Sequence, residues 1–386
     1  MTRVFSVVVA ALALATLAGV VVLWPGEVES GIAEGILVDS ERGTVERVEE
    51  TVCPGLIGQN CRQVFVRLES GPDSGKLVQL QLGGQGFDPD VDPGDEVRVT
   101  KTPEPPPGAE PVTGTGYSFV DFERRGPMLW LAALFVAAVL LLGRLRGALS
   151  LLGLAASLAL VVVFVVPSIL DGNSPLAVAV TGSLAIALVT IPLAHGGGPK
   201  SHAALLGTAV SLLLTAGLAV LFTELTHLTG LSSEEAIFLQ LGQADLSLQG
   251  LLLAGIVIGA LGVLDDVTIS QASTVLALRR ANPALGFREL FGRALHVGRD
   301  HVSATVNTLV LAYVGAGLPA LLLFSAADLS VSEVANFEIV AKEIVATLVG
   351  SIGLIAAVPI TTGLAAWLAL DEAPDERSAE GHAHAH

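Results

Sequence analysis

Two adjacent carboxylates directly follow a strongly apolar run in the stretch GVLDDVTISQAS. Asp265 and Asp266 come after apolar sequence that begins at Leu251, and Thr268 and Ser270 follow them. A charge at the centre of a membrane helix costs roughly 2.5–3.5 kcal/mol on insertion scales, so such residues usually face a cavity or a partner. One interpretation is a cation or proton pathway through these side chains. The alternative is that both acids lie at the membrane interface and cap a helix N-terminus.

The same stretch predicts an interrupted helix. The apolar segment Gly250–Leu264 has 15 residues, fewer than the roughly 20 that a bilayer core needs. Thr268 and Gln271 have the spacing of a capping box, in which an N-cap residue and the residue three positions later satisfy each other's backbone N–H groups. We therefore predict a break after the two acids and a second helix from Ile269. The alternative is a helix that runs on through the acids.

A second polar group enters the next apolar segment, in GRDHVSATVNT. Asp300, Ser303 and Asn307 share one helix face because they stand at positions i, i+3 and i+7, and His301 begins a neighbouring stripe. We expect these residues to line the wall opposite the paired acids. The alternatives are an ion pair between Asp300 and a nearby arginine, and hydrogen bonds of Ser303 and Asn307 that only join helices.

Glu343 is a further candidate for the pathway. It precedes Thr347 and Ser351 at i+4 and i+8 in the last apolar segment, so the three side chains share a helix face. The alternative is that Glu343 marks the end of the membrane span.

Composition predicts a membrane protein. Hydrophobic residues make up 52% of the chain and charged residues 15%, with a mean hydropathy of +0.69, whereas a soluble domain is about a quarter charged. The formal net charge of −17 argues against nucleic-acid binding. We predict a mainly α, polytopic helical membrane protein of about eight transmembrane helices with a small extracytoplasmic β domain. The predicted spans are residues 4–24, 128–142, 148–170, 175–194, 203–222, 250–264, 302–323 and 344–368.

Loop charges predict the orientation. Basic loop residues fall on one side of the predicted spans, namely Arg144, Arg146, Lys200, Arg279, Arg280, Arg288, Arg293 and Arg299. By the positive-inside rule this side is cytoplasmic, and so are both termini. The first apolar segment reaches spanning length and is interpreted as an uncleaved anchor, with a cleaved signal peptide as the alternative. The predicted domains are the anchor (1–25), an extracytoplasmic β-rich domain (26–126), a seven-helix membrane domain (127–370) and a cytoplasmic acidic, histidine-bearing tail (371–386).

The segment between the first two spans has the pattern of a small β domain. Its β-branched and alternating runs, separated by glycine and proline, are Thr44–Glu50, Gln63–Glu69, Leu77–Leu82 and Glu96–Thr100. Several short strands in under 100 residues favour a small barrel or sandwich. Cys53 and Cys61, the only two cysteines, would lie outside the cell, where disulfides persist. We predict a disulfide between them, and two free thiols are the alternative.

Motifs of the common enzyme classes do not occur. The sequence has no HExxH, GxSxG or Walker loop. We therefore predict no enzyme activity, no catalytic residue, no metal site and no cofactor.

Four phrases resemble the YibE/F family of bacterial membrane proteins. They are GALGVLDDVTISQAS, ANP, GRDHVSATVNTLVLAYVGAGLP and NFEIVAKEIVATLVGSIGLIAAVPITT, which follow one another in the family's order between Gly259 and Thr362. The family pattern has a single acid followed by valine, which matches Asp266-Val267, whereas Asp265 and Gln271 depart from it. The resemblance implies a multi-pass protein of the bacterial cytoplasmic membrane, and a transport role is commonly supposed for the family.

Two functions follow as hypotheses. The first is a secondary transporter or permease of a small solute or ion, coupled to protons or cations at the acidic stretch. The second is a non-transporting envelope scaffold whose outer β domain binds an envelope protein. A transporter needs its polar stripes to converge on one water-accessible cavity, whereas a scaffold would leave them at helix–helix contacts. In both hypotheses the lipid bilayer surrounds the helices.

Overall fold

A computed structural model describes residues 2–26, 39–52, 60–83, 89–102, 116–242, 246–327 and 329–371. The chain divides into two compact units, one of residues 1–30 with 139–386 and one of residues 31–138. The first is helical, and the second contains an antiparallel sheet and the beginning of a long helix. The predicted combination of a mainly helical protein with a small β-sheet is confirmed at this level.

The helices are long and strongly apolar. In chain order they are α1 (Thr2–Val22), α2 (Arg125–Leu160), α3 (Val166–Leu170), α4 (Pro175–His195), α5 (Pro199–Leu225), α6 (Glu234–Gly242), α7 (Leu248–Ala281), α8 (Phe287–Ala316), α9 (Leu318–Ala326), α10 (Val331–Asn336) and α11 (Glu338–Asp371). A π-helical turn, Val161–Val165, joins α2 to α3.

Six helical segments of the described chain are long and apolar enough to cross a membrane. They are Arg3–Val22, Arg125–Leu170, Pro175–His195, Pro199–Leu225, Leu248–Ala281 and Glu338–Asp371. The pair α8 and α9, bent by 60°, raises the number to seven if it forms one span. Inside α2 the backbone of Arg144 leaves the helical region (φ 50°, ψ −128°), and Gly147 packs against the carbonyl of Val139. This contact between residues eight positions apart shows that α2 turns sharply at Arg144.

The sheet of the smaller unit has five antiparallel strands. They are β1 (Ser40–Val52), β2 (Asn60–Leu68), β3 (Leu77–Gly83), β4 (Glu96–Lys101) and β5 (Tyr117–Phe122), in the spatial order β3-β2-β1-β4-β5. Alternate residues such as Val64, Val66 and Val97 are buried in one core. The Tyr117 hydroxyl donates a hydrogen bond to Asp73 (2.6 Å), which joins the start of β5 to the β2–β3 turn. The sheet therefore curls on itself. Sequence patterns predicted the first four strands and missed β5.

Cys61, one partner of the predicted disulfide, lies near the beginning of β2. Thr51 pairs with Cys61 and Val52 with Asn60, so Cys61 is beside the last residues of β1. Cys61 is buried and disulfide-bonded. Cys53 lies outside the described residues, and its pairing with Cys61 stays a prediction.

Small residues set the closest helix packing. A Cβ atom on Gly207 of α5 would clash with Thr361 of α11, and one on Gly353 of α11 would clash with Thr215 of α5. The two contacts are eight residues apart on both helices and occur in opposite order, so α5 and α11 are antiparallel. Glycine at such contacts lets backbones approach closely, as is common between helices in membranes.

The two ends of the helical bundle are named here after the first and last residues of α4. The helix α7 begins at the Pro175 end, because Gly250 contacts Pro175, and it runs parallel to α4. The helix α5 begins at the His195 end, where Ser201 donates a hydrogen bond to the carbonyl of Gly196. Since α11 is antiparallel to α5, α7 and α11 run in the same direction.

Candidate functional site

The helix α7, which carries the two acids, is continuous from Leu248 to Ala281. The predicted break is therefore wrong. Thr268 is fully buried, its hydroxyl is 2.7 Å from that of Thr208 on α5, and it also donates to the carbonyl of Asp265. At 1.5 Å per residue, the 34 residues extend about 51 Å, which exceeds a bilayer core of ~30 Å. The short apolar run predicted a break only because the polar residues of the same helix were not counted.

Gln271 joins three helices and does not cap one. Its side-chain amide donates to the carbonyl of Ala294 on α8 (2.8 Å) and to the hydroxyl of Thr362 on α11 (2.7 Å). Only 4% of its surface is exposed, and Gly298 lies directly against it. Sequence reasoning misread this residue, although a glutamine in an apolar helix is itself a signal for contacts between helices.

Asp266 faces His301 across the α7–α8 contact. Its Oδ2 atom is 4.0 Å from Nε2 of His301, and their side chains are 70% and 42% exposed. Asp265 points more toward the interior, and its Oδ1 atom is buried without a hydrogen-bond partner among the described residues. Consecutive positions on a helix lie about 100° apart, so the two acids have different surroundings. Asp266 has the open surroundings and the titratable neighbour.

Basic residues cluster near His195, the last residue of α4, which is also within electrostatic range of Asp266. His195 lies within electrostatic range of Lys200 and Arg146 too. Lys200 in turn lies within electrostatic range of Arg146 and Arg280. These residues begin or end four helical segments. The site therefore combines a carboxylate and two imidazoles with a positive rim.

The remaining predicted residues of α8 are exposed. Asp300, Ser303 and Asn307 lie on one face, as predicted, and this face is open. The Ser303 hydroxyl donates to the carbonyl of Arg299 (3.0 Å). Among the described residues His301 is the member of the predicted stripes that comes within ion-pair distance of Asp266.

Ser270 of α7 is half-buried. Its carbonyl accepts a hydrogen bond from the hydroxyl of Thr274 (2.9 Å). The structure therefore places Ser270 one helical turn beyond Asp266 without bringing it to His301.

Glu343 lies apart from this site, near the beginning of α11. The α8–α11 contacts Gly298–Val358 and Leu309–Gly350 put His301 level with a position between Gly350 and Val358. Glu343 is 7 to 15 residues away from that level, or about 10 to 22 Å along the helix axis. Glu343 therefore belongs to the Pro175 end, where it lines a cavity with α8, α9 and α10.

A group of three or more His, Cys, Asp or Glu side chains that could bind a metal ion does not occur in the described part of the chain. The arrangement at Asp266 places a carboxylate beside an imidazole, both accessible to solvent, and side chains of these two kinds commonly carry protons in proteins.

The fold and this site define a class: a helical membrane protein with a small β domain and a carboxylate–imidazole pair among its apolar helices. The family model described as YibE/F-like protein matches residues 131–371. The chain belongs to this family, as its sequence phrases predicted. No curated protein and no solved structure matches the chain.

Proposed function

We propose that this protein is a transporter of a small solute or ion in the bacterial cytoplasmic membrane, with Asp266 and His301 as its coupling site. The observation that carries the proposal is the 4.0 Å approach of the Asp266 carboxylate to the His301 imidazole. A carboxylate and an imidazole at this separation can exchange a proton through one bridging water, and the neutral or charged state of the pair can bias two arrangements of α7 and α8.

The proposed topology has eight spans with both termini in the cytoplasm. The segment Arg125–Leu170 has 46 residues and would extend about 69 Å as one helix, roughly twice the ~30 Å core. Counting it as two spans on either side of Arg144, and the bent pair α8–α9 as one, gives eight. Arg146 and Arg280 lie within electrostatic range of Lys200 at the His195 end. By the positive-inside rule this cluster of positive charges marks the cytoplasmic end.

This orientation puts Asp266 near the middle of the membrane. Thr208, which contacts Thr268, lies nine residues beyond Pro199, or about 14 Å from the His195 end. Asp266 is two residues nearer to the opposite end. An acid at that depth needs water or a partner, and His301 alone leaves most of its side chain open. The face with Asp300, Ser303 and Asn307 supplies further polar groups for a water-filled cavity beside the pair.

The direct test is complementation of a deletion strain with charge-neutral variants. Asp266→Asn keeps the side-chain shape and removes the charge, so we expect normal membrane abundance and loss of complementation, and His301→Gln should resemble it. Glu235→Gln, a matched change at an exposed acid on α6, should complement fully. Full complementation by both Asp266→Asn and His301→Gln at normal abundance would refute the coupling site.

A further inference from the structure

A second site is present at the Pro175 end of the bundle. A cavity of about 380 Å³ lies between α8, α9, α10 and α11. The 60° bend between α8 and α9 forms one wall, and the short helix α10 forms another. This volume is in the lower part of the range of small-molecule sites, about 300–1,000 Å³.

The lining is apolar except at one place. Valine, leucine and isoleucine side chains such as Val314, Leu321 and Val334 cover most of the surface, and Tyr313, Glu343 and Thr347 contribute polar groups. Glu343 is the one charged residue among the lining positions. An apolar cavity with a few placed polar groups is the usual form of a binding site for a small organic molecule.

Glu343 has no ion-pair partner among the described residues. Its helical neighbour Lys342 lies within electrostatic range of Glu235 of α6, and these opposite charges attract. Because consecutive side chains on a helix point about 100° apart, Lys342 and Glu343 point in different directions. The Thr347 hydroxyl donates to the backbone carbonyl of Glu343 (2.6 Å) and not to the carboxylate. In the described part of the chain the Glu343 carboxylate therefore faces the cavity and Tyr313 with no cation within ion-pair distance.

We infer that this cavity binds an amphipathic organic cation, with the apolar body against the valine and leucine side chains and the positive charge beside Glu343. An inorganic cation would lose its water of hydration against the apolar wall without gaining oxygen ligands. An anion would be repelled by the Glu343 carboxylate. The inference deepens the proposed transport function, on which it rests, by naming the class of substrate. The cavity and the Asp266 pair then lie about 18 Å apart along α8, measured from Tyr313 to His301, as substrate and coupling sites.

The test is binding of tetraphenylphosphonium to the full chain purified in lipid nanodiscs, with triphenylphosphine oxide as a neutral aromatic probe. We expect Glu343→Gln to weaken binding of the cation about ten-fold or more, because an apolar site no longer offers a counter-charge, and to leave binding of the neutral probe unchanged. Ala335→Trp fills the cavity and should weaken both probes. Glu224→Gln, at an exposed acid near the end of α5 and outside the cavity, should change neither.

Asp266→Asn separates this inference from the proposed function. It should retain cation binding, because its partner His301 lies about 18 Å along α8 from Tyr313 of the cavity. Wild-type protein that does not bind the cation would overturn the inference. Unchanged cation affinity in Glu343→Gln, or loss in Asp266→Asn with retention in Glu343→Gln, would also overturn it. None of these outcomes bears on complementation by Asp266→Asn, which tests the coupling site separately.

Discussion

Three carboxylates of this protein differ in their neighbours, and these neighbours determine what each can do. Asp266 faces an imidazole, and Glu343 faces an apolar cavity. Asp73, in the β2–β3 turn, accepts hydrogen bonds from Lys76 and Tyr117. These contacts lower the pKa of Asp73 to about 2. Partial burial and then the bond to Asp73 raise the pKa of Tyr117 to about 12.

The Asp73–Tyr117 contact predicts how the stability of the β-sheet depends on pH. Because the pKa of Asp73 is lower in the folded chain than in the unfolded chain, its ionised carboxylate stabilises the fold at pH values above about 4. This stabilisation is lost as the pH falls through about 2. Because the pKa of Tyr117 is higher in the folded chain than in the unfolded chain, its protonated hydroxyl stabilises the fold at pH values below about 10. This stabilisation is lost as the pH rises through about 12. Asp73→Asn should therefore increase hydrogen exchange of segment 70–82 at neutral pH, measured by mass spectrometry on the full chain, and its difference from the wild type should shrink as the pH falls through about 2.

Asp90→Asn is the matched control for this change. Asp90 pairs with Arg62, but its side chain is 89% exposed, and an exposed pair contributes little. An equal increase of exchange in both variants at neutral pH would contradict the assigned importance of the Tyr117 contact.

At the scale of elements, the closest contact of the bundle lies between α5 and α11. Gly207 and Thr215 of α5 oppose Thr361 and Gly353 of α11, and Ser211 stands between them on the same face of α5, fully buried. The contact surface consists of side chains no larger than threonine at these positions. Stability here depends on close backbone approach and not on large apolar side chains.

Gly353→Val tests this packing. The added side chain has no room beside Thr215, so we expect a loss of about 1–3 kcal/mol, typical of overpacking, visible as a lower unfolding temperature of the detergent-solubilised full chain. Gly255→Ala in α7 is the control, because nothing lies within 4 Å of a Cβ at that position. It should be neutral or slightly stabilising, since alanine favours a helix over glycine. An unchanged unfolding temperature in Gly353→Val would refute the packing.

The helices were predictable from apolar runs, but their internal polar contacts were not. The segment after Asp266 was predicted as a new helix because Thr268 and Gln271 match a capping box locally. In the structure Thr268 contacts Thr208 and Gln271 binds Ala294 and Thr362. These partners are between 23 and 91 residues distant, so no local pattern could reveal them. The contacts of Thr268 and Gln271 with other helices therefore override the local capping pattern.

At the scale of the whole molecule, the positions of the candidate residues were predictable only in part. Helical spacing correctly put Asp300, Ser303 and Asn307 on one face. It could not show that His301, on the neighbouring stripe, is the residue that faces Asp266, because this depends on the rotation of α8 against α7. The location of Glu343 in a separate cavity depends likewise on the bend between α8 and α9.

The proposed coupling site requires that the polar face of α8 borders water on the cytoplasmic side, and cysteine accessibility measures this directly. A single cysteine at Ser303, in a chain with Cys53→Ser and Cys61→Ser, is treated with a membrane-impermeant maleimide in inverted and right-side-out vesicles. Cysteines at Pro283 and Ser74 are reference sites for the cytoplasm and the outside. Leu311 of α8, 60% exposed, is a matched position that should face lipid.

If the polar face of α8 borders a cytoplasmic cavity, the cysteine at Ser303 reacts only in inverted vesicles, as does the one at Pro283. The cysteine at Ser74 should react only in right-side-out vesicles, and the one at Leu311 in neither. A cysteine at Ser303 that is unreactive from both sides, as at Leu311, would mean that no aqueous cavity exists beside Asp266 and would contradict the account.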